Sequence, residues 1–237
     1  MTTTRIETCD APGGDCFDTT IVVPGTGPGI LLFQEIFGVN DFLLGKAKDL
    51  AALGYVVSCP DVFWRVERNV CLPHDEASLQ EAFTLMGRYA GEVDDATKAS
   101  DLVGALEHLR ELPETAGKVA VMGYCLGGLL AYRVAAAGDP DACVSYYGSS
   151  IAQHLDVADQ VTCPILFHFG EEDAFIPNTE VAAIRGTFES RPDAEVHVQK
   201  GAGHAFENLL APQFGNAEAA SRSWPITVDF LERTLQR

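Results

Sequence analysis

Short apolar runs alternate with segments of helical spacing along almost the whole chain, and no other feature restricts the fold as strongly. The runs lie at residues 30–33, 55–57, 119–122, 143–147 and 165–169, with a shorter alternating stretch at 196–198. Runs this short and apolar at nearly every position suit strands covered on both faces, as in a parallel sheet. Helical spacing of apolar residues runs over 39–53, 76–88, 94–112, 126–137, 178–190 and 218–235. Strand and helix in alternation predict an α/β fold, with a mostly parallel central sheet and crossover helices on both faces. Residues 5–23 are expected as antiparallel edge strands. In such a sheet the binding crevice lies beyond the carboxyl ends of the strands, so reactive side chains should directly follow strands.

No repeat, low-complexity tract or linker interrupts the pattern, so residues 1–237 read as a single domain. The chain has 34 acidic and 16 basic side chains, a net charge of -18. That excess repels phosphate backbones and anionic lipid, so neither nucleic acid nor a membrane is expected as a partner. The longest apolar run, 119–132, is too short to span a bilayer. Seven cysteines include no CxxC pair, and no apolar signal stretch follows Met1, so reduced thiols in the cytoplasm are expected. The cysteines and histidines lack metal-ligand spacing, there is no P-loop, and Gly25-Thr26-Gly27-Pro28-Gly29 precedes a strand instead of opening a helix. The expectation is a monomer or small homo-oligomer that uses no metal or cofactor.

The chemistry is concentrated at Gly123-Tyr124-Cys125-Leu126-Gly127-Gly128, which follows the run ending at Met122 and opens a helical segment. A tight strand-to-helix turn needs small residues on either side of its middle side chain, and it lifts that side chain into the crevice. There the helix N-terminus favours a thiolate, and the Leu126 N–H can face a developing oxyanion. The competing reading of Cys125 is a buried small hydrophobe. A thiol is only a few per cent ionised at neutral pH, so a base and an orienting acid are needed. Asp173, with Glu171 and Glu172 as competitors, follows the run 165–169, and His204 follows 196–198. The order Cys, Asp, His suits an α/β-hydrolase. Glu35 ends the run 30–33 at the same edge, where the Ile36 N–H could be a second oxyanion donor. His168 and His197 read as packed within strands, and His74, His108 and His154 as surface residues.

QEIFGVN from Gln34, CPDVF from Cys59, GYCLGG from Gly123, YYG from Tyr146, GEEDAFIP from Gly170 and AGHAF from Ala202 resemble the dienelactone hydrolase, or carboxymethylenebutenolidase, family. The resemblance runs from about Gly29 to the C-terminal helix. It implies an α/β-hydrolase fold and a Cys125, His204, Asp173 triad acting through a thioester on a small lactone or ester, with Leu126 and Ile36 N–H groups as the oxyanion hole. In that family the glutamate matching Glu35 is thought to help deprotonate the cysteine when substrate arrives.

The departures from the family pattern concern the substrate. Two family arginines that hold the lactone's carboxylate fall on Leu79 and Asn208, and other pocket positions fall on Phe83, Met86 and Ala205. Phe37, Leu79, Phe83, Met86 and Asn208 are therefore the expected substrate-binding residues. Their pocket should suit carboxylate-bearing lactones less well, unless Arg65, Arg68 or Arg88 compensates. Asn208 also removes the arginine partner of Glu35. Alternatives are a non-catalytic small-molecule-binding protein on the same fold, or a thioesterase or dehalogenase.

Overall fold

The computed structural model describes residues 2–235. Among them, eight strands form one sheet: β1 (Thr3–Asp10), β2 (Cys16–Val23), β3 (Gly27–Phe33), β4 (Val56–Pro60), β5 (Thr115–Tyr124), β6 (Ala142–Tyr146), β7 (Ile165–Gly170) and β8 (Ala194–Gln199). Their spatial order is β1-β2-β4-β3-β5-β6-β7-β8. The first two strands pair antiparallel with each other, and β2 pairs antiparallel with β4; every other pairing is parallel. Helices α1 (Asp41–Ala52), α2 (Glu76–Glu92), α3 (Asp95–Glu111), α4 (Leu126–Ala137), α5 (Asn178–Phe188) and α6 (Ala217–Leu235) flank the sheet. This is the expected α/β-hydrolase architecture.

Local chemistry explains the helix starts. Asn40, Asp75 and Asp94 each accept from a backbone N–H three residues on, capping α1, α2 and α3. The cap at Asn40 places the start of α1 two residues beyond the start of the predicted segment. A 3₁₀ segment at Ile151–Gln160 was not expected, because its three-residue turns carry no 3.6-residue apolar period. Ile30, Leu31, Leu32 and Phe33 are wholly buried, as are Val121, Met122, Leu166 and Phe167. Continuous apolar runs thus mark strands covered on both faces. No helix among the described residues is long and apolar enough to cross a membrane.

One polar residue interrupts the buried run of β7. His168 is fully buried; its Nε2 lies 3.1 Å from Thr227 Oγ1, and its Nδ1 accepts from Gln199 Nε2 at 3.3 Å. The ring is therefore the neutral Nε2–H tautomer. Burial, then the nearby His197, pushes its pKa down to about 3. His197 itself is not packed inside, as the sequence suggested: it lies half-exposed on the edge strand β8, 3.1 Å from Glu195.

A histidine held neutral in the fold and free to protonate when unfolded stabilises the protein fully above the unfolded pKa near 6.5, and this stability is lost as pH falls below it. Between pH 7 and pH 5 the group should remove about 2 kcal/mol. We expect His168→Gln to be less stable at pH 7 but to lose about 2 kcal/mol less than the parent between those two pH values, as measured by urea unfolding. An identical pH-dependent loss in both proteins would contradict a neutral buried His168.

Candidate active site

Cys125 is the N-cap of α4 and sits at φ 55°, ψ −117°, a conformation that a side chain rarely adopts. Its N–H donates to the Tyr146 carbonyl at 3.0 Å. The flanking glycines are steric requirements: a Cβ on Gly123 would overlap the Gly127 carbonyl, and one on Gly127 would lie 2.5 Å from the Phe33 carbonyl oxygen. The turn lifts the sulfur above the end of β5. Leu126 opens α4, so its N–H belongs to the first-turn donors that lack an intrahelical acceptor.

Two further strand ends supply the sulfur's partners. His204 Nε2 lies 3.1 Å from Cys125 Sγ, and Nδ1 lies 2.8 Å from Asp173 Oδ2. The other Asp173 oxygen accepts from Phe175 N–H at 2.8 Å and Ile176 N–H at 3.1 Å. The carboxylate is thus clamped by three donors, fixing the imidazole with Nδ1–H toward Asp173 and Nε2 toward the sulfur. Burial opposes charge on His204, but the adjacent Cys125 sulfur and Asp173 outweigh it and lift the pKa to about 10. Those two neighbours thus favour the charged form of the ring once it accepts a proton. Glu171 and Glu172 are exposed, and Glu171 accepts instead from Gly201 N–H, so neither takes the position of Asp173.

Glu35 is buried at the end of β3, yet it is not alone. Asn208 Nδ2 lies 2.8 Å from Glu35 Oε2, and Tyr147 Oη donates toward Oε1 at 3.4 Å. His74 Nε2 sits 3.3 Å from the same Oε2 and 2.8 Å from Asn208 Nδ2. The amide has two hydrogens, one for each neighbour, which makes His74 Nε2 an acceptor. The His74–Glu35 approach is then two acceptors bridged by one amide, not an ion pair. His74 was read as a surface residue; instead its side chain is only 8% exposed, packed against Phe37 with ring centroids 4.4 Å apart. Its polar sequence neighbours gave no sign of this, and Tyr147 was likewise not singled out as a site residue.

A cavity of about 590 Å³ opens over Cys125 and His204. Phe37, Leu79, Phe83 and Met86 line it, together with Glu35, Ile36 and Leu126. Asn208 does not: it is wholly buried behind the wall, where it serves Glu35, so its assignment as a substrate-binding residue is corrected. His154, also read as a surface residue, contributes to the lining. None of the three arginines considered as replacements reaches the cavity. Arg65 pairs with Asp101, Arg68 donates to the Cys16 carbonyl, and Arg88 pairs with Glu92. Among the described residues no cluster of three or more His, Cys, Asp or Glu side chains could hold a metal ion.

The dienelactone hydrolase family matches residues 17–235 of the chain. A carboxymethylenebutenolidase from a Pseudomonas species is 36% identical over 94% of this chain and 93% of its own length. Another, from Pseudomonas putida, is 35% identical over 92% of each chain. Among solved structures, a dienelactone hydrolase-like promiscuous phosphotriesterase from metagenomic libraries superposes with a TM-score of 0.80 at 25% identity, covering 98% of this chain and 99% of that one.

The thiols differ in a way that mass spectrometry can read. Burial pushes Cys9, Cys59 and Cys163 up to about 12 and Cys143 well above the ordinary thiol value, whereas Cys16 and Cys71 are exposed. At pH 7, iodoacetamide should label the Cys125 peptide before those of Cys16 and Cys71, and His204→Asn should slow that labelling by about tenfold. Equal labelling rates for the three peptides would show that His204 does not activate the sulfur.

Proposed function

Because the chain belongs to the dienelactone hydrolase family, we propose that it is a hydrolase of small carboxylic esters or lactones working through Cys125, His204 and Asp173. The observation that carries this reading is His204 bridging Cys125 Sγ at 3.1 Å and Asp173 at 2.8 Å on the wall of an apolar cavity. In the proposed reaction His204 Nε2 takes the thiol proton and the sulfur attacks the carbonyl carbon. The tetrahedral oxyanion is met by the N–H groups of Leu126 and Ile36. His204 returns the proton to the departing alkoxide, leaving a thioester on Cys125. Water, giving its proton to the same ring nitrogen, attacks the thioester, and the acid leaves as the thiol is restored. Asp173 holds the ring and stabilises its charged form throughout. We place the protein in a reducing, cytoplasmic setting, where Cys125 and the exposed Cys16 and Cys71 stay unoxidised.

Glu35 is proposed as a positioning residue. Its carboxylate, tied to Asn208 and Tyr147, holds the loop on which Ile36 presents its N–H. The carboxylate of a substrate that bears it beside the scissile bond would meet Glu35, Leu79 and the cavity face of His74 instead of arginine. Two charge-assisted bonds are thereby missing.

Cys125→Ala should lower hydrolysis of p-nitrophenyl acetate by at least about a thousandfold while leaving the unfolding curve unchanged, and the parent should show a burst of p-nitrophenol from thioester formation. Retained turnover in the variant would end the assignment, and absence of both burst and turnover in the parent would favour a binding protein. A neutral lactone should exceed its analogue carrying a carboxylate next to the ring by about tenfold in kcat/KM. Glu35→Gln, which keeps a hydrogen-bonding amide, should retain more kcat than Glu35→Ala; equal losses would point to proton transfer by Glu35 instead.

A further inference from the structure

The cavity does not end at the reacting groups. It continues along α4, where Leu126, Leu129, Leu130 and Arg133 recur at helical spacing on one face and all line it. The opposite wall comes from Met86 and Tyr89 of α2 and from Lys98 in the first turn of α3. From Leu126 to Arg133 the helix rises roughly 10 Å, and the side chains of Leu129 and Leu130 lie between them on the lining face.

The far end of this apolar corridor is cationic. Lys98 Nζ lies 3.1 Å from Asp95 Oδ1, donates to the Ala90 carbonyl at 3.2 Å, and stands 5.4 Å over the Tyr89 ring. Among the described residues, the sole polar contact of Arg133 is a 3.4 Å approach to Asp95 Oδ2. One carboxylate that is 61% exposed thus faces two cations that are 12% and 28% exposed, an excess of one positive charge. Most of the planar guanidinium fork remains available to a carboxylate entering along the cavity.

We propose that Arg133 and Lys98 form a distal anion subsite, so that the preferred substrate is an extended ester or lactone carrying a carboxylate roughly 10 Å from its scissile carbonyl. The subsite deepens the hydrolase reading and rests on it for its catalytic consequence. Along α2 it lies beside Tyr89, well separated from the lining residue Leu79, and Asn208 stands outside the cavity altogether. A carboxylate beside the reacting bond and one at the far end are therefore treated oppositely: the first meets Glu35 without a cation, while the second meets two cations across apolar walls.

The test compares the p-nitrophenyl monoester of suberic acid with p-nitrophenyl octanoate, and the monoester of succinic acid with p-nitrophenyl butyrate. The suberate monoester should exceed its neutral partner in kcat/KM, whereas the succinate monoester should not. Arg133→Gln should lower the suberate-to-octanoate ratio by about tenfold to a hundredfold, mainly through KM, and Lys98→Gln should lower it less; Asp95→Asn should raise it. No advantage for suberate over succinate, or a ratio unchanged by both cation variants, overturns the subsite. Should no ester be turned over, the hydrolase reading fails and the subsite is judged on binding alone. Calorimetric titration of Cys125→Ala with octanoate should then give an affinity that Cys125→Ala/Arg133→Gln weakens by about tenfold. Equal affinity in the two variants, or no binding to either, overturns it.

Discussion

The turn at Cys125 is the constraint on which the site's geometry depends. A non-glycine residue at φ 55° and ψ −117° costs on the order of 1–3 kcal/mol and persists only where its surroundings leave no alternative. Here β3 and β5 pair in register up to Phe33 and Gly123, and Gly127 packs directly on the Phe33 carbonyl. The contact that holds the turn also sets where β3 ends and where Gln34, Glu35 and Ile36 begin. The backbone groups of Leu126 and Ile36 are consequently positioned by one piece of packing. A larger side chain at Gly127 would displace both, not merely loosen a helix.

Beneath that turn lies a buried polar layer tied together by side-chain hydrogen bonds. Tyr146 and Tyr147 connect its two halves. Tyr146 Oη lies 2.6 Å from Thr227 Oγ1, which also meets His168, while Tyr147 Oη reaches Glu35. The loops after β3, β6 and β8 and the segment before α2 are thereby tied together from below, through Glu35, Tyr147, Asn208 and His74. An apolar layer could fill this volume, but it would leave the Glu35 carboxylate buried without donors, which is far more costly than the pairing seen.

Much of this architecture is legible in the chain because it rests on local rules. Apolar runs near residues 30 and 120 announce buried strands, apolar spacing over 39–53, 76–88 and 94–112 announces helices, and the glycines around Cys125 announce a close approach of backbone. The histidines show where legibility ends. His204 was identified because a reactive thiol requires a base after a later strand. His74 was not, because its role arises from Asn208 and Glu35, residues 134 and 39 positions away. The loop between β4 and α2 brings His74 to the cavity wall, and nothing in the local pattern of Pro73, His74 and Asp75 encodes that path. Arg133 was hidden differently: it reads as the polar interruption of an apolar helix, and the corridor appears only once α2 and α3 face α4.

The global and local charges pull in different directions, and their ranges separate their effects. A net charge of -18 acts through solvent, where ions screen it beyond about 8–10 Å. It therefore bears on the encounter with an anion more than on the complex once formed. Arg133 and Lys98 act within contact distance, beside the apolar walls of Leu129, Leu130 and Tyr89. An anion that reaches the proposed subsite would leave most of the surface field behind and meet an environment of opposite sign. Acidity outside and cations within are thus compatible with one preference: small anions gain nothing from approaching the protein, and an extended ester whose apolar length fills the corridor is retained by its far end.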